Sequence, residues 1–127
     1  MKLLIDTHIL IWSAANKLPA RVAPYILEPS NTLLFSPASI WEIAIKRSKG
    51  REDFQINPYR LYKGLLESGY EELTITTKHA LAVEMLPDIH NDPFDRILLA
   101  QSMSESIHLL TCGADLANYS LSVIYAG

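Results

Sequence analysis

The chain has 127 residues, 49% of them apolar and 20% charged, and a formal net charge of −3. That length fits one domain, residues 1–127, able to bury roughly two thirds of its unfolded surface. The acidic balance argues against a broad surface coating nucleic acid, no apolar run approaches the ~20 residues of a membrane span, and a single cysteine, Cys112, excludes an internal disulfide. No Cys/His spacing suits a zinc finger, and Asp6 interrupts the short apolar N-terminus before it could serve as a secretion signal. A cytoplasmic protein is expected.

Short apolar runs predict strands at 2–6, 32–36, 72–76, 108–112 and 121–125. Helical periodicity and helix start and stop signals fill the intervals. A helix begins near Thr7, and Pro19 opens another that runs to about Leu27, where Glu28-Pro29-Ser30-Asn31 ends it. Ser36-Pro37 reads as a cap followed by proline in the first turn, with Gly50 as terminator. Asn57-Pro58 starts a further helix that Gly69 stops; Thr76-Thr77 and Asp92-Pro93 cap the last two. Strands alternating with helices imply right-handed crossovers and an α/β fold of three α/β/α layers around a mainly parallel five-stranded sheet. Sites in such sheets form beyond the carboxyl ends of the strands. Asp6 stands at one such end, and the segment from Cys112 to Asp115 at another.

Three acids stand where apolar structure breaks off: Asp6, Glu42 and Asp95. Two carboxylates brought ~5 Å apart repel by roughly 3 kcal/mol at an effective dielectric near 20. A cluster of them therefore calls for protons or a hard, oxygen-loving cation such as Mg²⁺ or Mn²⁺. Each acid also has a structural reading. Asp6 can cap the helix that follows it. Glu42 lies opposite the apolar arc of Ile40, Trp41, Ile43, Ala44 and Ile45, and pairs at i,i+4 spacing with Lys46, as a solvated helix residue does. Asp92 caps Pro93-Phe94-Asp95, leaving Asp95 at the head of a helix apolar almost all round.

Other residues point less clearly to chemistry. His8, His79, His90 and His108 share no spacing and read as structural, and neither Ser39 nor Cys112 has a local base. Lys46, Arg47, Lys49 and Arg51 place four positive charges within six residues. They read as a solvated helix end, or as a phosphate-contacting rim beside Glu42. The glycines form no phosphate loop and no dinucleotide fingerprint.

Three collinear segments, Leu3-Leu4-Ile5-Asp6-Thr7-His8 with Trp12, Ser36-Pro37-Ala38-Ser39-Ile40-Trp41-Glu42-Ile43, and His90-Asn91-Asp92-Pro93-Phe94-Asp95-Arg96-Ile97-Leu98-Leu99-Ala100-Gln101, together resemble PIN-domain toxins of the VapC type. The resemblance spans essentially the whole chain. It implies a metal-dependent endoribonuclease, the toxin of a type II toxin–antitoxin pair, forming a homodimer and silenced by a small antitoxin, often of the Phd/YefM type. It places the family's acids on Asp6, Glu42 and Asp95 as catalytic residues and ligands of Mg²⁺ or Mn²⁺, with Asp92 as an accessory acid. Cleavage would leave a 3′-hydroxyl and a 5′-phosphate.

One position departs from the pattern. Relatives carry Thr-x-Asp at the end of the fourth strand, whereas here the run is Thr111-Cys112-Gly113, with Asp115 two residues later as the other accessory acid. That departure supports an alternative from another class, a catalytically weakened PIN domain that binds RNA or protein. A third reading, an aspartyl-phosphate protein, is disfavoured because Asp6-Thr7-His8 lacks the second aspartate that such phosphatases carry two residues on.

Overall fold

The computed structural model describes residues 1–88 and 91–127, so His90 lies outside the described residues. The order is β1 (Lys2–Ile5), α1 (Thr7–Ala14), α2 (Ala23–Leu27), β2 (Thr32–Phe35), α3 (Pro37–Ser48), α4 (Pro58–Glu67), β3 (Glu71–Glu72), α5 (Thr77–Ala82), α6 (Pro93–Glu105), β4 (His108–Thr111) and β5 (Val123–Tyr125). Single 3₁₀ turns occupy Glu52–Phe54, Val83–Met85 and Ala114–Leu116. The sheet runs β3-β2-β1-β4-β5, and every neighbouring pair is parallel. The expected α/β class and five-stranded sheet are therefore observed.

Strand side chains alternate between faces, and that alternation divides the core in two. Leu3 and Ile5 of β1, Phe35 of β2 and Leu110 of β4 join Ile9, Leu10, Ile43, Phe54, Leu61 and Leu65 on one face. Leu4, Leu34 and Leu109 join Ala38, Leu98, Leu99, Ala100 and Leu116 on the other. Each such buried Leu, Ile or Phe side chain contributes roughly 1.5–3 kcal/mol. Helix α3 supplies Ala38 to one core and Ile43 to the other, so it stands where the two helical layers meet.

The expected start and stop signals are used. The Ser36 hydroxyl accepts the Ala38 N–H at 3.1 Å, and the Asn57 side chain accepts those of Tyr59 and Arg60 at 2.9 and 3.2 Å. Gly50 and Gly69, past the ends of α3 and α4, take φ of 77° and 88°, the left-handed region that glycine enters without a Cβ clash. Three expected elements are shorter than anticipated, among them the last strand, which begins at Val123 rather than at Leu121. Pro19 opens a turn rather than a helix, its carbonyl accepting from both Val22 and Ala23, and α2 begins only at Ala23. The strand expected at 72–76 pairs only over Glu71–Glu72. Beyond it, Gln101 Nε2 donates to the carbonyl of Leu73 at 3.0 Å, drawing that backbone toward α6 instead of extending the ladder.

The order places the topological switch at β1, whose neighbours β2 and β4 are reached by crossovers running in opposite directions along the sheet. A crevice opens at the carboxyl ends of strands at such a point. Asp6 follows β1 there, and Thr111 ends β4.

Candidate active site

The backbone of Asp6 still belongs to the sheet, its N–H donating to the carbonyl of Leu110 at 3.1 Å. Its residue position is the N-cap of α1, but its carboxylate makes no capping bond within that helix. Instead Thr111 Oγ1 donates to Asp6 Oδ2 at 2.6 Å and accepts the Gly113 N–H at 2.9 Å. The hydroxyl thus joins the ends of β1 and β4 and fixes the carboxylate, which is only 8% exposed. Burial pushes the Asp6 carboxyl above its ordinary range; the Thr111 bond and His8 pull it down, and the charge of Glu42 pushes it further up.

Glu42 reaches the same crevice from α3 and is 4% exposed. Both arcs of the helix are partly buried: Ser39 beside Glu42 is fully buried and Ile43 of the apolar arc lies in the core, while Trp41 is 61% exposed. This corrects the wheel-based expectation of a solvated Glu42. The reason is that α3 turns its polar arc toward the strand ends, where Thr7 Oγ1 donates to Ser39 Oγ at 2.9 Å and ties α1 to α3. Lys46 Nζ meets Glu42 Oε2 at 2.6 Å, as the i,i+4 spacing suggested. The other oxygen, Oε1, is buried and has no hydrogen-bond partner among the described residues. A buried carboxylate oxygen without a donor is costly, and a hard cation or one of its bound waters satisfies it. The donor set therefore suits Mg²⁺ or Mn²⁺.

Asp95 lies half-buried in the first turn of α6. The Asp92 carboxylate caps that turn, accepting the N–H groups of Phe94 and Asp95 at 2.9 and 3.0 Å, so Asp92 has the capping role its position predicted. Phe94 packs edge-on against Trp41 with ring centroids 5.2 Å apart, which brings the head of α6 against α3 beside Glu42. Among the described residues, no three His, Cys, Asp or Glu side chains gather closely enough to hold one ion by themselves. Asp6 and Glu42 are within electrostatic reach of each other, and Asp95 stands on the neighbouring helix start.

The fourth strand end holds no carboxylate. Gly113 has φ −79° and ψ 116°, a backbone that any residue adopts, and an added Cβ would lie 3.3 Å from Thr111 Oγ1. Asp115 is exposed in the following 3₁₀ turn, beside Asn118 and Tyr119. The basic run divides. Arg47 and Lys49 are exposed at the end of α3, whereas Arg51 pairs with Asp53 at 3.3 Å and Lys46 turns inward to Glu42.

Of the described histidines, His8 and His79 have side-chain partners, while the buried Nδ1 of His108 has none among the described residues. His8 packs on Phe54 with centroids 5.0 Å apart and meets Asp53 at 3.1 Å; His79 is buried against Glu105; His108 opens β4. Burial, with the charge of Asp6 behind it, pushes the Cys112 thiol up and leaves it a poor nucleophile. Sequence reasoning missed Thr111 as the partner of Asp6 and the hydroxyl pair Thr7–Ser39. A hydroxyl residue ending a buried apolar strand was the available signal for Thr111.

The family model for the PIN domain matches residues 3–121. No curated protein matches the chain in sequence at a significant level. Among solved structures, the chain is similar to VapBC2 from Rickettsia felis bound to a promoter DNA fragment, at TM-score 0.70 and 19% identity, covering 98% of this chain and 97% of the other. It is also similar to a toxin–antitoxin complex from Klebsiella pneumoniae, at TM-score 0.65 and 23% identity over 98% of both chains. DNA-bound VapBC from Salmonella typhimurium gives TM-score 0.69 and 17% identity over 100% of this chain and 99% of the other. At these identities the likenesses establish the fold.

Proposed function

From the premise that this chain belongs to the PIN-domain family, we propose that it is the toxin of a toxin–antitoxin pair and an endoribonuclease dependent on Mg²⁺ or Mn²⁺. The observation that carries this reading is the pair Asp6 and Glu42, two buried carboxylates in one strand-end crevice, with a Glu42 oxygen lacking any partner among the described residues. Asp6, Glu42 and Asp95 are the proposed ligand set, holding the ion partly through bound waters because the three carboxylates do not converge closely enough to hold it by themselves. When bound there, a divalent ion acidifies a water and offsets charge developing on the scissile phosphate. Thr111 holds the Asp6 carboxylate in one orientation, the Thr7–Ser39 bond fixes α3 against the start of α1, and Asp92 fixes the turn bearing Asp95. Arg47 and Lys49, exposed at the end of α3, are the proposed contacts to backbone phosphates.

Partner binding belongs to the same reading. Ile40, Ala44, Pro58, Tyr59 and Tyr62 line an apolar cleft between α3 and α4. A cleft of this kind suits the apolar side chains of an antitoxin segment. A basic side chain of that antitoxin then neutralises the acidic crevice, Arg satisfying two carboxylate oxygens at once. The solved complexes similar in fold are themselves assemblies of toxin with antitoxin. A homodimer in the cytoplasm completes the proposal; among the described residues no helix is long and apolar enough to cross a membrane.

The test is end-mapping of RNA incubated with the purified wild type and with Asp6→Asn, in Mn²⁺ and in EDTA. New 5′-phosphate ends confined to the wild type with Mn²⁺ are expected. Cuts that survive EDTA, or that Asp6→Asn makes equally well, would refute the assignment. Gly113 at the fourth acidic position favours the alternative of a weakened PIN domain that binds RNA or protein. RNA binding by the wild type with no metal-dependent cuts would select it.

A further inference from the structure

The cation already inside this site belongs to the protein. Of the four positive charges between residues 46 and 51, Lys46 is drawn inward, its side chain 20% exposed where that of Arg51 is 53% exposed. Its ammonium lies 2.6 Å from Glu42 Oε2, 4.8 Å from the Phe54 ring centroid and 5.7 Å from that of Phe94. The rings come from separate elements, the turn Glu52–Phe54 and the head of α6, and Phe54 is fully buried. An exposed i,i+4 ion pair is weak because water screens it and two flexible chains must be ordered. Here the acid is buried, the ammonium has aromatic faces on which its charge is favourable, and low local dielectric strengthens the contact.

We propose that Lys46 is a resident counter-cation of the acidic site, so that a divalent ion binds by exchange, taking Glu42 from the ammonium. The inference rests on the metal-dependent reading of the site. Asp6 and Glu42 bring two carboxylates into one crevice, and Lys46 engages one of the Glu42 oxygens while leaving the other unpaired. A divalent ion that takes Glu42 meets the positive charge of Lys46 directly. Lys46 accordingly stabilises the metal-free protein and weakens metal binding, which sets the ion concentration at which the site fills. In the metal-free state it performs the neutralisation that a bound ion performs later.

Three measurements on the full chain test this. In the wild type, acetylation of Lys46 by a small amine-reactive reagent, quantified by mass spectrometry, should rise at least about threefold when Mn²⁺ is added, while that of exposed Lys49 stays constant. In parallel, Lys46→Met should melt below the wild type in EDTA, recover when Glu42→Gln is added, and bind Mn²⁺ about tenfold more tightly. Lys46→Arg should retain wild-type affinity. If wild type binds Mn²⁺ but Lys46→Met binds it equally or more weakly, or Lys46 reactivity does not rise, the exchange is overturned and the metal site stands. If no protein in the series responds to Mn²⁺, the metal site fails and the exchange with it, even where Lys46 and Glu42 are coupled in EDTA.

Discussion

Two carboxylates in this molecule pair with a basic side chain from opposite sides of the burial boundary. At the strand ends, Glu42 is the buried member, its side chain 6% exposed against 20% for Lys46. On the other helical layer the buried member is the base, His79 at 1% against 38% for Glu105. The histidine is satisfied at both nitrogens. Its Nδ1 accepts the Thr76 N–H at 3.1 Å, which leaves the ring proton on Nε2 for Glu105 at 2.8 Å, while Thr76 Oγ1 accepts the His79 N–H at 3.3 Å. The capping box closes the start of α5, and the Nε2 bond to Glu105 ties it to α6. Glu42 keeps a buried oxygen without a partner among the described residues. Gln101 Oε1 and His108 Nδ1 are also buried without a partner among the described residues, but the Glu42 oxygen differs in standing near a second buried carboxylate, Asp6, where a cation satisfies it.

The contrast breaks most directly at His79. His79→Ala removes a buried ring and orphans the Thr76 N–H, so a loss of about 2–4 kcal/mol is expected in urea unfolding. The Mn²⁺-induced rise in melting temperature should remain. At the strand ends the pattern should reverse. Asp6→Asn removes a buried charge that Glu42 repels, raising stability in EDTA by about 1 kcal/mol while abolishing most of the Mn²⁺ response. If Asp6→Asn destabilised the metal-free protein as strongly as His79→Ala, the two regions would not differ in kind.

Much of this arrangement was legible, and the exceptions share a cause. Local signals worked where a residue serves its own element: Ser36, Asn57 and Asp92 cap, Gly50 and Gly69 terminate, and Asp6 follows a buried strand. The helical wheel failed at Glu42 because it assigns the apolar arc to the core. Here Trp41 and Ala44 face outward, and Ser39 and Glu42 face the crevice. Which way an amphipathic helix turns depends on what it meets, and the hydroxyl of Thr7 lies 32 residues away in sequence from that of Ser39. Lys46–Glu42 was visible as a pair, but Phe54 and Phe94 reach it only through the tertiary fold. The Thr111–Asp6 bond joins residues separated by 105 positions, beyond any periodicity.

Gly113→Asp sharpens the comparison by adding an acid to the open site. Its backbone angles permit the change, and the new Cβ would lie 3.3 Å from the Thr111 oxygen, close enough to disturb the clamp on Asp6 slightly. Stability in EDTA should fall by about 1 kcal/mol from repulsion and crowding. The Mn²⁺ shift should grow, with cleavage unchanged or higher. Asp115→Asn should alter neither, because Asp115 is exposed in the next turn. A reduced Mn²⁺ response in Asp115→Asn, with none gained in Gly113→Asp, would transfer the fourth acid to Asp115.

The smallest effect is expected at Glu105, and it tests whether the closed pair behaves as a fold element alone. The hydrogen bond from His79 holds the Glu105 carboxyl below its ordinary value of 4.5 against the opposing effect of burial, and the charge of Lys78 acts in the same direction as the bond. Between the folded and unfolded values, the unfolded chain binds more protons than the folded one. Stability from this group is therefore fully present above about 4.5 and declines as pH falls through the lower folded value. Solvent screening keeps the contribution small, because the carboxylate is exposed. Urea midpoints measured from pH 6 to pH 3 should fall more steeply for the wild type than for Glu105→Gln, the two curves converging at the acidic end. Their difference should be the same in Mn²⁺ and in EDTA, since this pair takes no part in the crevice. Parallel curves would mean that Glu105 only decorates His79, and a difference that changed with Mn²⁺ would show the two regions to be coupled.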